Sequence, residues 1–206
     1  MKFAKTLALA LVAAPLATVA SVALPAPAEA AKPTIEMVEN HLAKVRSMTA
    51  TFTQTDNKGR SISGELVMKR PGKVRFDYGA NADMLMVSEG GQLHFIDYEV
   101  GQKSSWDIQD TPMSVLLDQK PDLNRIARIV PSKNDNIVIV RARDARRPEF
   151  GTLIFAFYKD ARAPGGLALE GWTAIDAQNK RTVVRLDGQR YNVAVNDGRF
   201  SYKDPK

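Results

Sequence analysis

The stretch Gly64-Glu65-Leu66-Val67-Met68-Lys69-Arg70-Pro71-Gly72-Lys73-Val74-Arg75-Phe76-Asp77-Tyr78 decides the fold class. Two short runs of period-two patterning, 62–69 and 74–78, flank Pro71-Gly72, a pair suited to a tight reversal. In the second run Val74, Phe76 and Tyr78 share one face, and Lys73, Arg75 and Asp77 share the other. That alternation marks a strand with one face on a core and one in water. The segment therefore reads as an antiparallel hairpin.

The same reading extends in both directions. Upstream, Ala50, Phe52 and Gln54 lie opposite a threonine row, Thr49, Thr51, Thr53 and Thr55. Downstream, strand-like runs occupy 84–88, 93–98, 104–108, 136–143, 151–158, 167–174 and 181–186, with a weaker one at 191–195. Turn signals such as Gly90-Gly91, Pro164-Gly165-Gly166 and Asp187-Gly188 separate them. Helical periodicity is confined to 33–47, where Ile35, Val38, Leu42 and Val45 line one face behind a Pro33-Thr34 start, and to a short segment at 110–117. There Thr111 is placed to cap and Pro112 to occupy the first helical position. Ten or so short strands without alternating helices imply one strongly curved antiparallel sheet or barrel.

Three segments break the alternation. Met84-Leu85-Met86-Val87, Ile137-Val138-Ile139-Val140 and Leu153-Ile154-Phe155-Ala156-Phe157 are apolar on both faces, so something apolar must cover the second one. Either the two helices suffice, or these are simply central strands, or the sheet is an open barrel whose concave face is an apolar cavity partly lidded by the helices.

Composition narrows the function. Of 206 residues, 29 are Lys or Arg and 23 are Asp or Glu, net charge +6, with no cysteine. The N-terminus carries Lys2 and Lys5, an apolar stretch over 7–16 and a closing Ala28-Glu29-Ala30, the order of a secretory signal peptide cut before Ala31. The expected organisation is a signal peptide at 1–30 and a single domain at 31–206. Without cysteine there is no disulfide, thiolate metal site, cysteine nucleophile or lipid-modified N-terminal cysteine. His41 and His94 stand apart from other metal-ligand types and read as structural. No nucleophile elbow, zinc-binding pair or phosphate loop is present, and no carboxylate pair stands out. The sequence therefore reads as a non-enzyme without cofactor or metal. The basic segment 141–147 reads as a solvated strand end, with export arguing against nucleic acid as a partner.

Read in order, Ala50-Thr51-Phe52-Thr53-Gln54, the 64–78 hairpin, Val87-Ser88-Glu89-Gly90-Gly91-Gln92-Leu93, Thr111-Pro112-Met113, and finally Phe200 and Pro205 resemble the LolA family of outer-membrane lipoprotein carriers. The resemblance implies a mainly β, half-open antiparallel β-barrel of about eleven strands, its apolar cavity lidded by short helices. It implies a monomeric periplasmic chaperone that shields the acyl chains of triacylated lipoproteins. Cargo would pass from an inner-membrane ABC transporter to an outer-membrane acceptor. By the same resemblance Arg70, followed by Pro71, is the latch holding the lid closed. Phe52, Leu66, Val74, Phe76, Tyr78, Met113 and Leu116 are the acyl-chain cavity. Phe76 and His94 stand where tryptophan is common in the family. The alternative is an envelope-stress sensor with the same half-barrel, binding lipoprotein or an anti-sigma factor. A lipid or envelope-polymer hydrolase would need a nucleophile or acid/base pair that the sequence does not display.

Overall fold

The computed structural model describes residues 32–79, 82–111, 113–118 and 121–206. The expected signal peptide and Pro112 lie outside the described residues. Helix α1 (Ile35–Lys44) starts where expected, because the Thr34 side chain accepts a hydrogen bond from the Met37 amide at 3.2 Å and so satisfies a donor with no partner inside the helix. Eleven strands follow: β1 (Ser47–Thr55), β2 (Ser61–Lys69), β3 (Lys73–Asp77), β4 (Met84–Glu89), β5 (Gln92–Asp97), β6 (Gln102–Asp107), β7 (Ala127–Val130), β8 (Ile137–Ala142), β9 (Thr152–Lys159), β10 (Leu167–Ile175) and β11 (Arg181–Tyr191). Two one-turn helices, α2 (Ser114–Leu117) and α3 (Leu123–Ile126), lie between β6 and β7.

All pairings are antiparallel, in the order β6-β5-β4-β3-β2-β1-β11-β10-β9-β8-β7. Two meanders thus meet where β1 pairs with β11. The edge strands β6 and β7 do not pair with each other, so the sheet stays open. It nevertheless curls. The rings of Phe76 on β3 and Trp172 on β10 lie 6.0 Å apart, edge to face, although β2, β1 and β11 intervene in the sheet. Two glycines permit close strand approach. A Cβ on Gly64 would sit 2.0 Å from the Asp77 carbonyl oxygen and 2.8 Å from the Phe52 ring. Gly171, at a bulge in β10 with φ +146°, has the Val184 carbonyl in the same place.

The doubly apolar run in β4 now has its cover. Met84 and Met86 pack on the concave core, while Leu85 and Val87 point outward with Val67 and Ile96. The C-terminal segment 192–206 crosses that outer face and buries Phe200 among those four residues. It is tied down by Lys69 and Lys73 on Asp197 at 2.6 and 2.9 Å, by Lys103 on Asp204 at 2.7 Å, and by the Tyr98 hydroxyl donating to the Lys203 carbonyl at 2.9 Å.

Two expectations need correction, and two short elements were not foreseen. The strand expected at 191–195 does not form. Asn192 adopts φ +54°, which ends the ladder, and its side chain instead bridges the Arg46 amide and the Lys44 carbonyl. Thr111 does not cap the short helix: Met113 holds that position, and the Thr111 hydroxyl donates to the Ile108 carbonyl at 2.8 Å. Segments α3 and β7, four residues each, had no periodicity long enough to read.

Candidate functional site

The concave face of the sheet is one apolar surface, and strand register explains its make-up. Ala50, Leu66, Phe76, Met86 and Phe95 form a continuous rung across β1–β5, and Met68 opposite Val74 begins the next. Phe52 sits over Gly64 and meets Phe76 and Tyr78 edge-on at 5.3 and 5.1 Å, the geometry that sets a positive ring edge against a negative face. The Tyr78 hydroxyl donates to Gln54 Oε1 at 3.1 Å, and burial pushes its pKa up to about 12. Phe52, Leu66, Val74, Phe76, Tyr78 and Leu116 are all buried in this one cluster, with Met113 half-buried against it. The structure thus brings all seven expected cavity residues together.

The lid side chains fill the concavity. Val115, Leu116 and Leu117 of α2 and Leu123 of α3 are buried within the same cluster, joined by Val38 and Leu42 of α1. Each such side chain gains roughly 1.5–3 kcal/mol from burial, so the lid is held mainly by apolar contact. Sequence reading missed Val115, Leu117 and Leu123, because one-turn helices show no face, and Trp172, which its alternating strand could have revealed. It also missed Trp106, opposite Leu93 on the concave side of edge strand β6 and 48% exposed.

Polar ties between lid and sheet converge on the β2–β3 turn. The half-buried Arg70 side chain donates through Nη1 to the Leu42 carbonyl near the end of α1, where carbonyls lack helical partners. The Arg70 amide donates to the Arg46 carbonyl at 2.8 Å, and the Gly72 amide to the Leu117 carbonyl at the end of α2 at 3.1 Å. One turn therefore holds both α1 and α2. Among the described residues the Arg70 side chain ties one carbonyl, and its buried Nε has no partner there. Burial lowers its pKa to about 10, with Asp118 opposing the shift. Pro71 is exposed beside it and follows a cis peptide bond.

A second tie was not foreseen. His41 Nδ1 lies 2.7 Å from the Pro164 carbonyl, which can only accept, so Nδ1 carries the proton. Its ring is edge-on to Phe157 at 5.4 Å and Tyr191 at 5.7 Å. The turn beneath is glycine for a steric reason, since a Cβ on Gly165 would lie 2.7 Å from His41 Cα. Burial, reinforced by the Arg70 charge, lowers the His41 pKa to about 4, so the ring is neutral at physiological pH. His94 is also structural, its Nδ1 2.7 Å from Ser105 Oγ under Tyr202. Among the described residues no cluster of three or more His, Asp or Glu could hold a metal. The arrangement is an apolar concave face covered by side chains of α1, α2 and α3.

A family model described as outer membrane lipoprotein carrier protein LolA matches residues 43–203, most of the chain. The chain belongs to the LolA family. An outer-membrane lipoprotein carrier protein of Chromobacterium violaceum is 25% identical over 201 residues, 93% of this chain and 94% of the relative. An uncharacterized protein of Rickettsia prowazekii is 25% identical over 115 residues, 54% of each chain, so that match spans about half the relative's length. Among solved structures, a lipoprotein-sorting protein domain from Vibrio parahaemolyticus superposes with a TM-score of 0.48 at 10% identity, over 80% of this chain and 94% of that one. The LolA half-barrel expected from the sequence is an eleven-stranded open antiparallel sheet, with its concave face closed by short helices.

Proposed function

We propose that this protein is a periplasmic LolA-type carrier that takes up the acyl chains of triacylated lipoproteins on its concave face. It receives them from an inner-membrane ABC transporter and gives them to an outer-membrane acceptor, working as a monomer without cofactor. The observation that carries the reading is the buried concave surface of Phe52, Leu66, Val74, Phe76 and Tyr78, filled by Met113, Leu116 and their neighbours on helices that no strand ladder holds.

The energetics require a device of this kind. At ~0.8 kcal/mol per methylene, acyl chains totalling some forty methylenes carry roughly 30 kcal/mol of exposure cost in water. A carrier must cover most of that area and still let go. Lid side chains that leave the concavity as cargo enters perform both tasks, because what the lid loses on opening is subtracted from the cargo's gross affinity. Arg70 sets part of that subtraction. Its Nη1 hydrogen bond to the Leu42 carbonyl, with Pro71 shaping the turn, stabilises the closed state and is lost on opening.

Native mass spectrometry of the protein recovered from periplasm, beside Arg70→Leu, tests the reading. Lipoprotein bound to the wild type, and more of it retained by the variant, is the expected result. Both proteins empty, with no uptake of triacylated lipoprotein from spheroplasts, would overturn the carrier reading and favour a sensor. Cargo bound equally by both would overturn only the latch.

A further inference from the structure

The C-terminal segment covers the outer face of β2–β5, but the outer face of β7–β11 has no such cover among the described residues, and its composition is not that of a solvated sheet. Three rungs can be followed across it. The first runs Arg128, Arg141, Ile154, Thr173, Val183; the second Val130, Ile139, Ala156, Gly171, Arg185; the third Ile137, Tyr158, Ala168. An antiparallel sheet facing water should carry polar residues here. Instead Ile137, Ile139 and Ile154 are half-buried on the adjoining strands β8 and β9, Val183 is half-buried beyond Thr173, and Tyr158 is 41% exposed. This is the second face of the two apolar runs, 137–140 and 153–157, that the C-terminal segment does not reach.

The charged residues within these three rungs, Arg128, Arg141 and Arg185, are all arginines. Arg128 and Arg141 are direct cross-strand partners, an arrangement that is destabilising between like charges. Arg128 donates only to the Asn124 and Ala127 carbonyls, and Arg141 and Arg185 are paired with no carboxylate among the described residues. Acids stand at the margins: Glu149 and Asp176 around the pocket that Arg141 lines, Asp187 two residues past Arg185 on β11, and Glu170 at the β10 bulge.

We propose that this face docks onto an anionic lipid leaflet. Guanidinium groups bind phosphate oxygens in bidentate fashion, and their stems lie along apolar neighbours while the heads reach outward. Isoleucines and an exposed tyrosine set between them suit the boundary between headgroups and acyl chains. A lipid surface answers both features at once, offsetting the arginine repulsion and covering the apolar rungs. An acidic protein would need carboxylates matched to each arginine, and the apolar side chains would still need cover. The net charge of +6 draws the protein toward such a surface. The inference uses neither lid nor cargo and stands or falls apart from the carrier reading.

The test is flotation with phosphatidylglycerol–phosphatidylethanolamine vesicles beside phosphatidylcholine vesicles, at about 0.05 and 0.5 M salt. Residues 1–31 are kept identical in every variant, so any contribution of the N-terminal apolar stretch cancels. The wild type should float with the anionic vesicles and weaken at high salt. Arg141→Glu/Arg185→Glu should lose at least about tenfold in partitioning, and Ile139→Ser should lose severalfold while keeping the salt dependence. Arg141→Gln/Arg185→Gln, expected between wild type and the reversal, serves if the reversal fails to fold. Flotation unmoved by these changes, equal flotation with phosphatidylcholine, or none at all would overturn the proposal. Binding to soluble polyglutamate without vesicle binding would overturn it too and give the face to an acidic protein.

Discussion

Acidification should loosen the lid through His41. The ring is buried between α1 and the β9–β10 turn, faces Phe157 and Tyr191, and has the Arg70 guanidinium as its charged neighbour. Its pKa is about 4 in the closed protein against 6.5 when free. The folded value is depressed, so any state that frees the ring binds more protons. Closed-state stability is therefore complete above about pH 6.5 and falls as pH drops from there toward 4. At 1.36 kcal/mol per pKa unit the full loss is about 3 kcal/mol, and at pH 5 about 2 kcal/mol is already gone. The window is clear of the paired carboxylates, because a hydrogen bond from the Arg146 amide on Asp144, from Arg162 on Asp160 and from Lys69 on Asp197 keeps each below its ordinary value. His94 shifts in the same direction, mainly by burial, and the comparison is therefore made in a His94→Asn background. Urea unfolding from pH 7.5 to 4.5, with binding of an apolar fluorescent dye followed alongside, reads both global stability and lid opening. His41→Phe keeps a ring against Phe157 and Tyr191, gives up about 1 kcal/mol for the lost Pro164 hydrogen bond, and should flatten the pH dependence. Equal slopes over that range with and without the His41→Phe substitution would refute the reasoning.

Two further predictions concern the frame. Gly64→Ala places a methyl 2.0 Å from the Asp77 carbonyl oxygen and should destabilise by at least about 1–3 kcal/mol; a change below about 0.5 kcal/mol in urea unfolding would show that β2 and β3 separate freely there. Phe200→Ala uncovers Val67, Leu85, Val87 and Ile96 and should cost about 3–5 kcal/mol, with hydrogen exchange rising first in β4 and β5. Unchanged exchange in those strands would show that the C-terminal segment is not their cover.

Most of the strands were legible because their signal is local. A period of two in Val74, Phe76 and Tyr78, or in the threonine row of β1, depends only on the pleat, and each turn carries its own chemistry. The candidate cavity residues were named through a family resemblance, and alternation alone could place them only on a core face. What failed was whatever lacked length or depended on a partner. Segments α3 and β7 span four residues each and show no period; α2 was expected within 110–117, but it begins two residues later than the Thr111-Pro112 chemistry suggests, so Thr111 does not cap it.

The sequence by itself determined that this chain forms a many-stranded antiparallel sheet, that its core faces are set by alternation, and that Pro71-Gly72 turns the chain beside a single arginine. Only the tertiary structure decided that β1 pairs with β11, so that Phe76 and Trp172 meet across a curled sheet. It alone showed which apolar faces are covered and which are not: the C-terminal segment lies over Leu85 and Val87 and the short helices over the concavity, while no segment of the described chain covers Ile139 and Ile154. The reason is physical. Alternation is written in neighbouring residues, whereas pairing and cover join residues far apart in the chain, where hydrophobic burial is non-directional and only the packed arrangement selects a partner.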